Sequence, residues 1–258
     1  MPQKIILIMI AVAWIFFIFM FSLFGAEQLN RYRLWRAIEN EDLVYIENYA
    51  RRGKNLNIRH LISRETALLY AMQLSKKEVY RILLNAGADP NAGHRTGPTL
   101  VHHAATEADP FWLRLALEAG GDPNQFDPRR GSYPLTYTLY RERLDNIKLL
   151  LEFGADINAP DRYGRTPLTL ASDGAKFEIV HFLLEQGADY AMVTHPGFTF
   201  FDSFRNKTPE FYEKRNAEWG AWCRKAREWL RERGADPDKA RWDGEKWVFD
   251  GQPVEQAP

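Results

Sequence analysis

The sequence predicts an all-α protein in which similar helix pairs stack into a solenoid, preceded by one transmembrane helix. Two observations predict this architecture: a short glycine-containing motif recurs at a nearly constant interval, and one long apolar segment lies near the start. The composition agrees, because 45% hydrophobic and 26% charged residues are typical of a folded chain rather than a disordered one. The 258 residues suffice for one large domain or two small ones.

The charge balance and the cysteine content exclude several classes of protein. The 34 Lys and Arg residues match the 34 Asp and Glu residues, which argues against a globally basic nucleic-acid binder. Cys223 is the single cysteine, so an internal disulfide and a multi-cysteine metal site are both excluded. We therefore expect no nucleic-acid partner and no metal or cofactor. A single thiol leaves the redox compartment open.

Residues 1–25 are predicted to form a membrane anchor. From Ile5 to Phe24 the only polar side chain is Ser22, and a helix of this length rises about 30 Å, the thickness of a bilayer's hydrocarbon core. A cleaved signal peptide is the alternative, but its apolar core usually spans only about 7–15 residues and ends at a small-x-small site. Phe24 stands two positions before Ala26, which makes a poor cleavage site. The sequence therefore favours a retained single span.

The orientation of the span is less clearly encoded. Lys4 precedes it, whereas Arg31, Arg33 and Arg36 follow it, and this count favours a cytoplasmic body. The rule is weak for a long domain after the first span, and a short tail with Lys4 before an apolar segment resembles an uncleaved export signal. We expect export of the body.

The repeat interval is about 33 residues. The repeat endings are Gly87-Ala-Asp-Pro-Asn91, Gly120-Gly-Asp-Pro-Asn124, Gly154-Ala-Asp-Ile-Asn158, Gly187-Ala-Asp189 and Gly234-Ala-Asp-Pro-Asp238, with a weaker copy at Gly53-Lys-Asn-Leu-Asn57. Each repeat is predicted to contain a first helix opened by Thr or Pro and a second helix closed by a left-handed glycine. We place six repeats in residues 26–238, ending near 57, 91, 124, 158, 191 and 238.

A second motif identifies the kind of repeat. Thr166-Pro-Leu-Thr-Leu-Ala171 matches the Thr-Pro-Leu-His-x-Ala core of ankyrin repeats, and the segment 99–105 keeps Thr, His102 and Ala in phase. The chain resembles an ankyrin-repeat protein over about residues 27–238. The resemblance implies helix pairs with hairpin-like fingers, stacked because one pair cannot bury its apolar face alone. The charged first repeat is predicted to be the N-terminal cap.

The last repeat departs from the family pattern. Its closing Gly234 comes about 14 residues late, and Trp219, Trp222 and Trp229 recur at helical spacing within 207–233. We predict a single elongated second helix, with the three tryptophans in the core of a C-terminal cap rather than in an exposed docking patch. Residues 239–258 are predicted to form a hairpin around Asp243-Gly244, followed by a loose tail from Gly251.

No motif indicates catalysis. The sequence contains no phosphate loop, no G-x-S-x-G elbow and no H-E-x-x-H. His102 and His103 are adjacent, so on a helix they point about 100° apart and make a poor metal pair. His102 matches the structural histidine of the family, while His60, His94 and His195 fall in predicted fingers. Cys223 is predicted to be a packed, unreactive thiol. We expect no enzyme activity, no catalytic or metal-binding residues and no small-molecule substrate.

The resemblance implies that the fingers and the exposed sides of the first helices bind a partner. Candidate partner-binding residues at these positions are Arg95, Arg129, Arg130, Tyr140, Arg141, Arg162, Tyr163 and Arg165. Arg and Tyr are enriched at binding hot spots, so we predict a protein partner with an acidic surface. The alternative is a solvated loop surface on which arginines cluster by chance.

A short anchor followed by a small ankyrin body resembles bacterial membrane-anchored immunity proteins that accompany secreted toxins, including type VI secretion lipases. This resemblance implies an inhibitor that binds and blocks a toxin or effector, held at the bacterial inner membrane by residues 5–24 with a periplasmic body. The alternative is a periplasmic ankyrin scaffold or oxidative-stress protection factor. A fold alone does not choose between them.

Overall fold

A computed structural model describes residue 25 and residues 28–60, 64–93, 97–192, 199–242, 247–249 and 252–253. The predicted anchor, residues 5–24, lies outside these residues, as do His94, Arg95 and His195. Within the described ranges, no helix combines the length and apolar character needed to cross a bilayer.

The chain forms two compact units, Met1–Ala92 and Gly93–Pro258. The described helices of the first unit are α1 at 28–40, α2 at Leu43–Arg51, α3 at Ala67–Gln73 and α4 at Lys77–Asn85. Those of the second unit are α5 at Leu100–Thr106, α6 at Phe111–Glu118, α7 at Pro134–Arg141, α8 at Leu144–Glu152, α9 at Pro167–Asp173, α10 at Phe177–Glu185, α11 at Phe200–Phe204, α12 at Pro209–Glu213 and α13 at Ala217–Glu232. The predicted stacking of helix pairs is confirmed within each unit.

Local caps explain where the helices of a pair begin and end. The hydroxyl of Thr166 accepts the N–H of Thr169 at 3.2 Å at the start of α9, and Pro167 occupies the first helical turn. At the end of α8, Gly154 has φ 82°, which is why glycine is required there. The next N–H, of Ala155, donates to the carbonyl of Leu150 at 2.8 Å and closes the helix.

The Asp and Asn of the repeat endings connect neighbouring repeats. Each Asp accepts a backbone N–H two residues later, as Asp122 does from Asn124 at 2.8 Å. The Asn then accepts the N–H of the following repeat's Asp, as Asn124 does from Asp156 and Asn158 from Asp189 at 2.8 and 2.9 Å. These bonds explain why the motif recurs with a fixed interval.

The core of the second unit lies between successive repeats. The first helices pack in series, α5 on α7, α7 on α9 and α9 on α11. Leu135 and Leu168 are buried at these contacts. Asn146 on α8 is also buried, and its amide donates to the carbonyls of Ala105 and Glu107 at 3.0 and 2.9 Å. Asn146 thereby satisfies carbonyls left free at the end of α5.

The predicted elongation of the second helix is found over part of its length: α13 has sixteen residues, whereas α8 and α10 have nine each. It does not extend back to residue 207, because the side chain of Asn216 accepts the N–H groups of Glu218 and Trp219 and starts the helix there, and the one-turn α12 precedes it. Gly220 allows α13 to approach α12 closely, because a Cβ at this position would lie 1.9 Å from Cγ of Glu213.

The predicted tryptophan core is wrong. Trp219 is 47% exposed, and Trp222 and Trp229 are half-buried, so none of the three belongs to the fully buried face of α13. The buried face of α13 consists instead of Gly220, Cys223, Ala226, Arg227 and Leu230. Small side chains on this face let α13 pack closely on α10 and α12, and Phe204 of α11 lies 5.8 Å from the Arg227 guanidinium.

A buried arginine secures the end of the last repeat. Arg227 is buried, donates to the carbonyl of Lys207 at 3.0 Å and forms an ion pair with Asp238. Arg231 donates to the same carboxylate at 2.8 Å. Burial alone would raise the pKa of Asp238, but the hydrogen bonds from the two arginines outweigh it and the pKa is lowered.

Among the residues that the structure describes after α13, three short strands are present. β1 at Ala240–Trp242 and β2 at Trp247–Phe249 are antiparallel, with Trp242 opposite Trp247. They occupy the position of the predicted hairpin, and its loop at 243–246 lies outside the described residues. β3 at Gln252–Pro253 pairs with β2, so the expectation of a loose tail is wrong for these two residues.

Candidate protein-binding surface

Two buried aspartates shape the fingers that carry most of the candidate residues. Asp127 and Asp161 are 34 residues apart and stand at the start of successive fingers. The carboxylate of Asp127 accepts the backbone N–H of Arg129 at 2.9 Å, and that of Asp161 accepts the N–H of Tyr163, also at 2.9 Å. These bonds hold each finger in a tight turn. The sequence analysis missed both residues, although their spacing equals the repeat interval.

The second oxygen of each aspartate binds a different partner. Oδ2 of Asp127 accepts the hydroxyl of Tyr137 in a short, buried hydrogen bond. Burial first, and then this hydrogen bond and the carboxylate charge, raise the pKa of Tyr137 above its usual range. Oδ2 of Asp161 accepts Nε and Nη2 of Arg165 at 3.0 and 2.7 Å.

Two of the candidate arginines therefore have structural partners. Burial would lower the pKa of Arg165, but its bonds to Asp161 outweigh this effect and raise it. Arg162 donates from Nη2 to the carbonyls of Pro128 and Arg129 at 2.5 and 3.0 Å, and its N–H donates to the carbonyl of Gly131 at 2.7 Å. Arg162 thus joins its own finger to the preceding one.

The close contact between the two fingers depends on a glycine. Gly131 has φ 69°, and a Cβ at this position would lie 1.8 Å from Nε of Arg162. Any side chain here would displace Arg162. The two fingers consequently form one connected surface within the second unit.

The most accessible aromatic groups of this surface are two tyrosines. Tyr163 is 65% exposed at the tip of its finger, and Tyr140 on α7 is 59% exposed. The guanidinium of Arg165 lies 5.2 Å from the ring centre of Tyr163, and the Tyr140 phenol contributes to the raised pKa of Arg165. Arg165 therefore lies beside Tyr163.

The remaining described arginines among the candidates are exposed. Arg129 and Arg130 are exposed in the preceding finger, and the Arg130 guanidinium lies 5.1 Å from the ring centre of Tyr137. Arg141 is exposed in the last turn of α7. We call the seven described candidates, Arg129, Arg130, Tyr140, Arg141, Arg162, Tyr163 and Arg165, the finger surface. All seven belong to the second unit, and Arg95 lies outside the described residues.

His102, His60 and Cys223 have packing roles. His102 is buried, and its Nδ1 bonds the N–H and hydroxyl of Thr99 at 3.1 and 2.9 Å in a capping box. His60 packs against Trp35 and Tyr70. Cys223 is buried, and burial raises the pKa of its thiol to about 11. Among the described residues, no group of three or more His, Cys, Asp or Glu could hold a metal ion.

Comparison with known proteins identifies the repeats. The family model described as ankyrin repeats (3 copies) matches residues 101–193, and the model for a single ankyrin repeat matches residues 63–95. These matches cover four repeats, including both fingers of the finger surface. The chain contains ankyrin repeats.

Several curated ankyrin proteins are similar to this chain. Ankyrin repeat and SOCS box protein 6 of Homo sapiens is 33% identical over 183 residues, which cover 68% of this chain and 43% of that protein. Protein PhlB of Serratia liquefaciens is 36% identical over 107 residues, covering 42% of this chain and 47% of that protein. B-cell lymphoma 3 protein of Homo sapiens is 36% identical over 121 residues, covering 45% and 26%. This chain therefore spans less than half the length of each.

The ankyrin repeats establish a protein-binding module at the level of the fold. The capping box at His102 and the finger turns at Asp127 and Asp161 are structural features of these repeats. Neither the family models nor these relatives bring a catalytic domain to the chain.

Proposed function

We propose that this protein is a membrane-tethered inhibitor that binds and blocks a secreted bacterial toxin through the finger surface. One observation carries the proposal: Tyr140 and Tyr163 are more than half exposed, and beside Tyr163 lies the guanidinium of Arg165, which Asp161 holds in place. Exposed large side chains on a rigid support lose little conformational freedom on binding, which favours affinity. An immunity function is one use of such a surface.

The charge of the finger surface favours an acidic partner. Its two fingers and α7 contribute five arginines, although the whole chain is neutral. Asp161 neutralises Arg165, and Arg162 is bonded to backbone carbonyls, which do not cancel its charge. An excess of positive charge therefore remains and would steer association with an acidic protein.

The proposed location follows from the anchor sequence. The apolar residues 5–24 have the length and composition of a single span, and we propose that they hold the protein in a bacterial inner membrane with the body in the periplasm. In that position the inhibitor would meet a toxin that acts in the envelope. One of the similar proteins, Protein PhlB, comes from a bacterium, Serratia liquefaciens.

Co-purification of the full chain from detergent-solubilised native membranes tests the binding surface. The variant Arg129→Glu/Arg130→Glu reverses two exposed charges of the finger surface, and we expect it to lose the partner that the wild-type protein retains. Arg114→Glu/Lys148→Glu is the matched control, since it makes the same charge change at exposed positions of α6 and α8. Each lost hot-spot contact is expected to cost about 2 kcal/mol, or roughly 30-fold in Kd.

Growth assays distinguish an inhibitor from the alternative function. A strain lacking the gene should grow normally alone and die when a neighbouring strain delivers the toxin, and Arg129→Glu/Arg130→Glu should fail to protect it. A growth defect under peroxide without any toxin would instead support a scaffold or stress factor. Retention of the same partner by both variants would refute the finger surface as the binding site.

A further inference from the structure

Charges are separated along the first helix pair. Three of its four acidic residues, Glu39, Glu41 and Asp42, lie at the turn between α1 and α2. The opposite end, where α1 begins and α2 finishes, carries the basic residues Arg31, Arg33, Arg51, Arg52 and Lys54, and in the sequence Glu27 precedes α1, so the basic residues still outnumber the acidic ones there. The fourth acid, Glu47, is paired with Arg51 at 3.0 Å. One end of this pair is therefore strongly positive.

The positive end also contains a pocket. Its volume is about 120 Å³, and it is lined by Asn30, Tyr45, Asn48, Tyr49, Arg52 and Lys54. Two cationic groups, two amides and two phenols supply several hydrogen-bond donors, and no carboxylate is among the lining residues. Arginine and lysine together with neutral donors are the groups that bind phosphate oxygens. The pocket is therefore suited to an oxyanion.

The pocket is close in sequence to the predicted membrane span. Six residues lead from Phe24 to Asn30, and even a fully extended chain of this length reaches only about 20 Å. Leu29 and Tyr32, near the start of α1, are 48% and 62% exposed. Exposed apolar and aromatic groups beside cations are typical of surfaces in contact with lipid headgroups.

We propose that this pocket binds the phosphate of an anionic glycerophospholipid in the leaflet next to the tether. The proposal rests on the proposed tether and assigns it a second contact, which would fix the orientation of the first repeats on the membrane. A basic residue at a membrane surface contributes roughly fivefold to affinity for anionic lipid, so Arg52 and Lys54 together should account for more than tenfold.

Native mass spectrometry of the full chain in a nonionic detergent tests the proposal. Dihexanoyl phosphatidylglycerol, dihexanoyl phosphatidylcholine and inorganic phosphate are titrated separately. We expect the wild-type protein to bind phosphatidylglycerol at least tenfold more tightly than phosphatidylcholine, and Arg52→Gln/Lys54→Gln to lose this preference. Lys77→Gln/Arg81→Gln, which removes the same charge from α4, should keep it. Lys54→Gln alone should give an intermediate preference and guards against misfolding of the double variant.

The possible results separate the pocket from the tether. Equal binding of the two lipids by wild type, or an unchanged preference in Arg52→Gln/Lys54→Gln, would overturn the pocket. Inorganic phosphate that binds as tightly as phosphatidylglycerol would show a free-anion site rather than a lipid site and would overturn the lipid assignment. The tether is tested on its own by carbonate extraction of native membranes, where its failure would release both wild type and variant.

Discussion

Protonation of His102 should destabilise the second unit at mildly acidic pH. The imidazole is buried beside Tyr137, 5.0 Å between ring centres, and its Nε2 makes no hydrogen bond of normal geometry. Burial lowers the pKa of His102 from 6.5 to about 4, and the charge of Asp127 opposes this only in part. The unfolded chain therefore binds a proton more readily than the folded one between pH 6.5 and 4.

The sign and size of the effect follow from this difference. Because the folded pKa is the lower one, stability is fully present above pH 6.5 and falls as the pH decreases towards 4. A pKa difference of one unit is worth about 1.4 kcal/mol, so lowering the pH from 7.5 to 5.0 should cost about 2 kcal/mol at this site. Full protonation would cost about 3 kcal/mol.

Urea unfolding of the full chain at the two pH values measures this cost, with His102→Thr as the matched variant. Thr169 occupies the same position in α9 and bonds Thr166 as His102 bonds Thr99, so the cap survives in the variant. His102→Thr should be less stable at pH 7.5 but should lose about 2 kcal/mol less than wild type on acidification. An equal loss in both proteins, or an NMR titration of His102 near pH 6.5, would refute the reasoning.

Three further predictions concern packing and reactivity. Gly220→Val should lower the free energy of unfolding by about 2 kcal/mol or more, because the valine side chain would overlap Glu213. Urea titration measures this loss. The control variant Ala221→Val, at the exposed neighbouring position, should have a small effect. Asn124→Ala should cost about 1 kcal/mol, since it removes the bonds to the N–H of Asp156 and the carbonyl of Gly154, and an unchanged midpoint would contradict the inter-repeat role. Cys223, with a pKa of about 11, should resist iodoacetamide at pH 8 until urea is added, and rapid labelling of the native protein would contradict its burial.

The helix pairs could be predicted from the sequence because their signals are local. Thr166 and Pro167 set the start of α9, and Gly154 sets the end of α8, through bonds within a few residues. Such signals repeat with the motif, so each repeat supports the prediction of the next. The ankyrin assignment rested on the same residues.

The contents of the last repeat could not be predicted in the same way. The helical spacing of Trp219, Trp222 and Trp229 indicated an apolar face, but spacing cannot tell which part of that face is covered. Which residues of α13 are buried depends on how closely α12 packs against it. This distance is set by Gly220 and by the start of α13 at Asn216. The roles of Gly220 and Asn216 can be recognised in the sequence only when the interruption between α12 and α13 is already known.

For the finger surface, too, some features could be predicted from the sequence and others could not. The register of the repeats predicted that Arg129, Tyr163 and Arg165 lie in neighbouring fingers. It could not predict that Arg162 bonds backwards to the carbonyls of Pro128 and Arg129, because that contact joins residues more than thirty positions apart. The sequence shows that arginines are present in the fingers. Only the structure shows which of them, Arg162 and Arg165, form hydrogen bonds within the fold.

The bonds between successive repeat endings have a consequence for how the second unit comes apart. Ala191 stands where the three preceding endings have Asn91, Asn124 and Asn158, and alanine has no side-chain oxygen to accept the next N–H. The last repeat is instead attached through α11 packed on α9, through α13 packed on α10 and through Ser203, which bonds Ser172 at 2.9 Å. Under a pulling force applied at the C-terminus, the segment from α11 onward should detach as one piece, with the remaining repeats of the unit still folded.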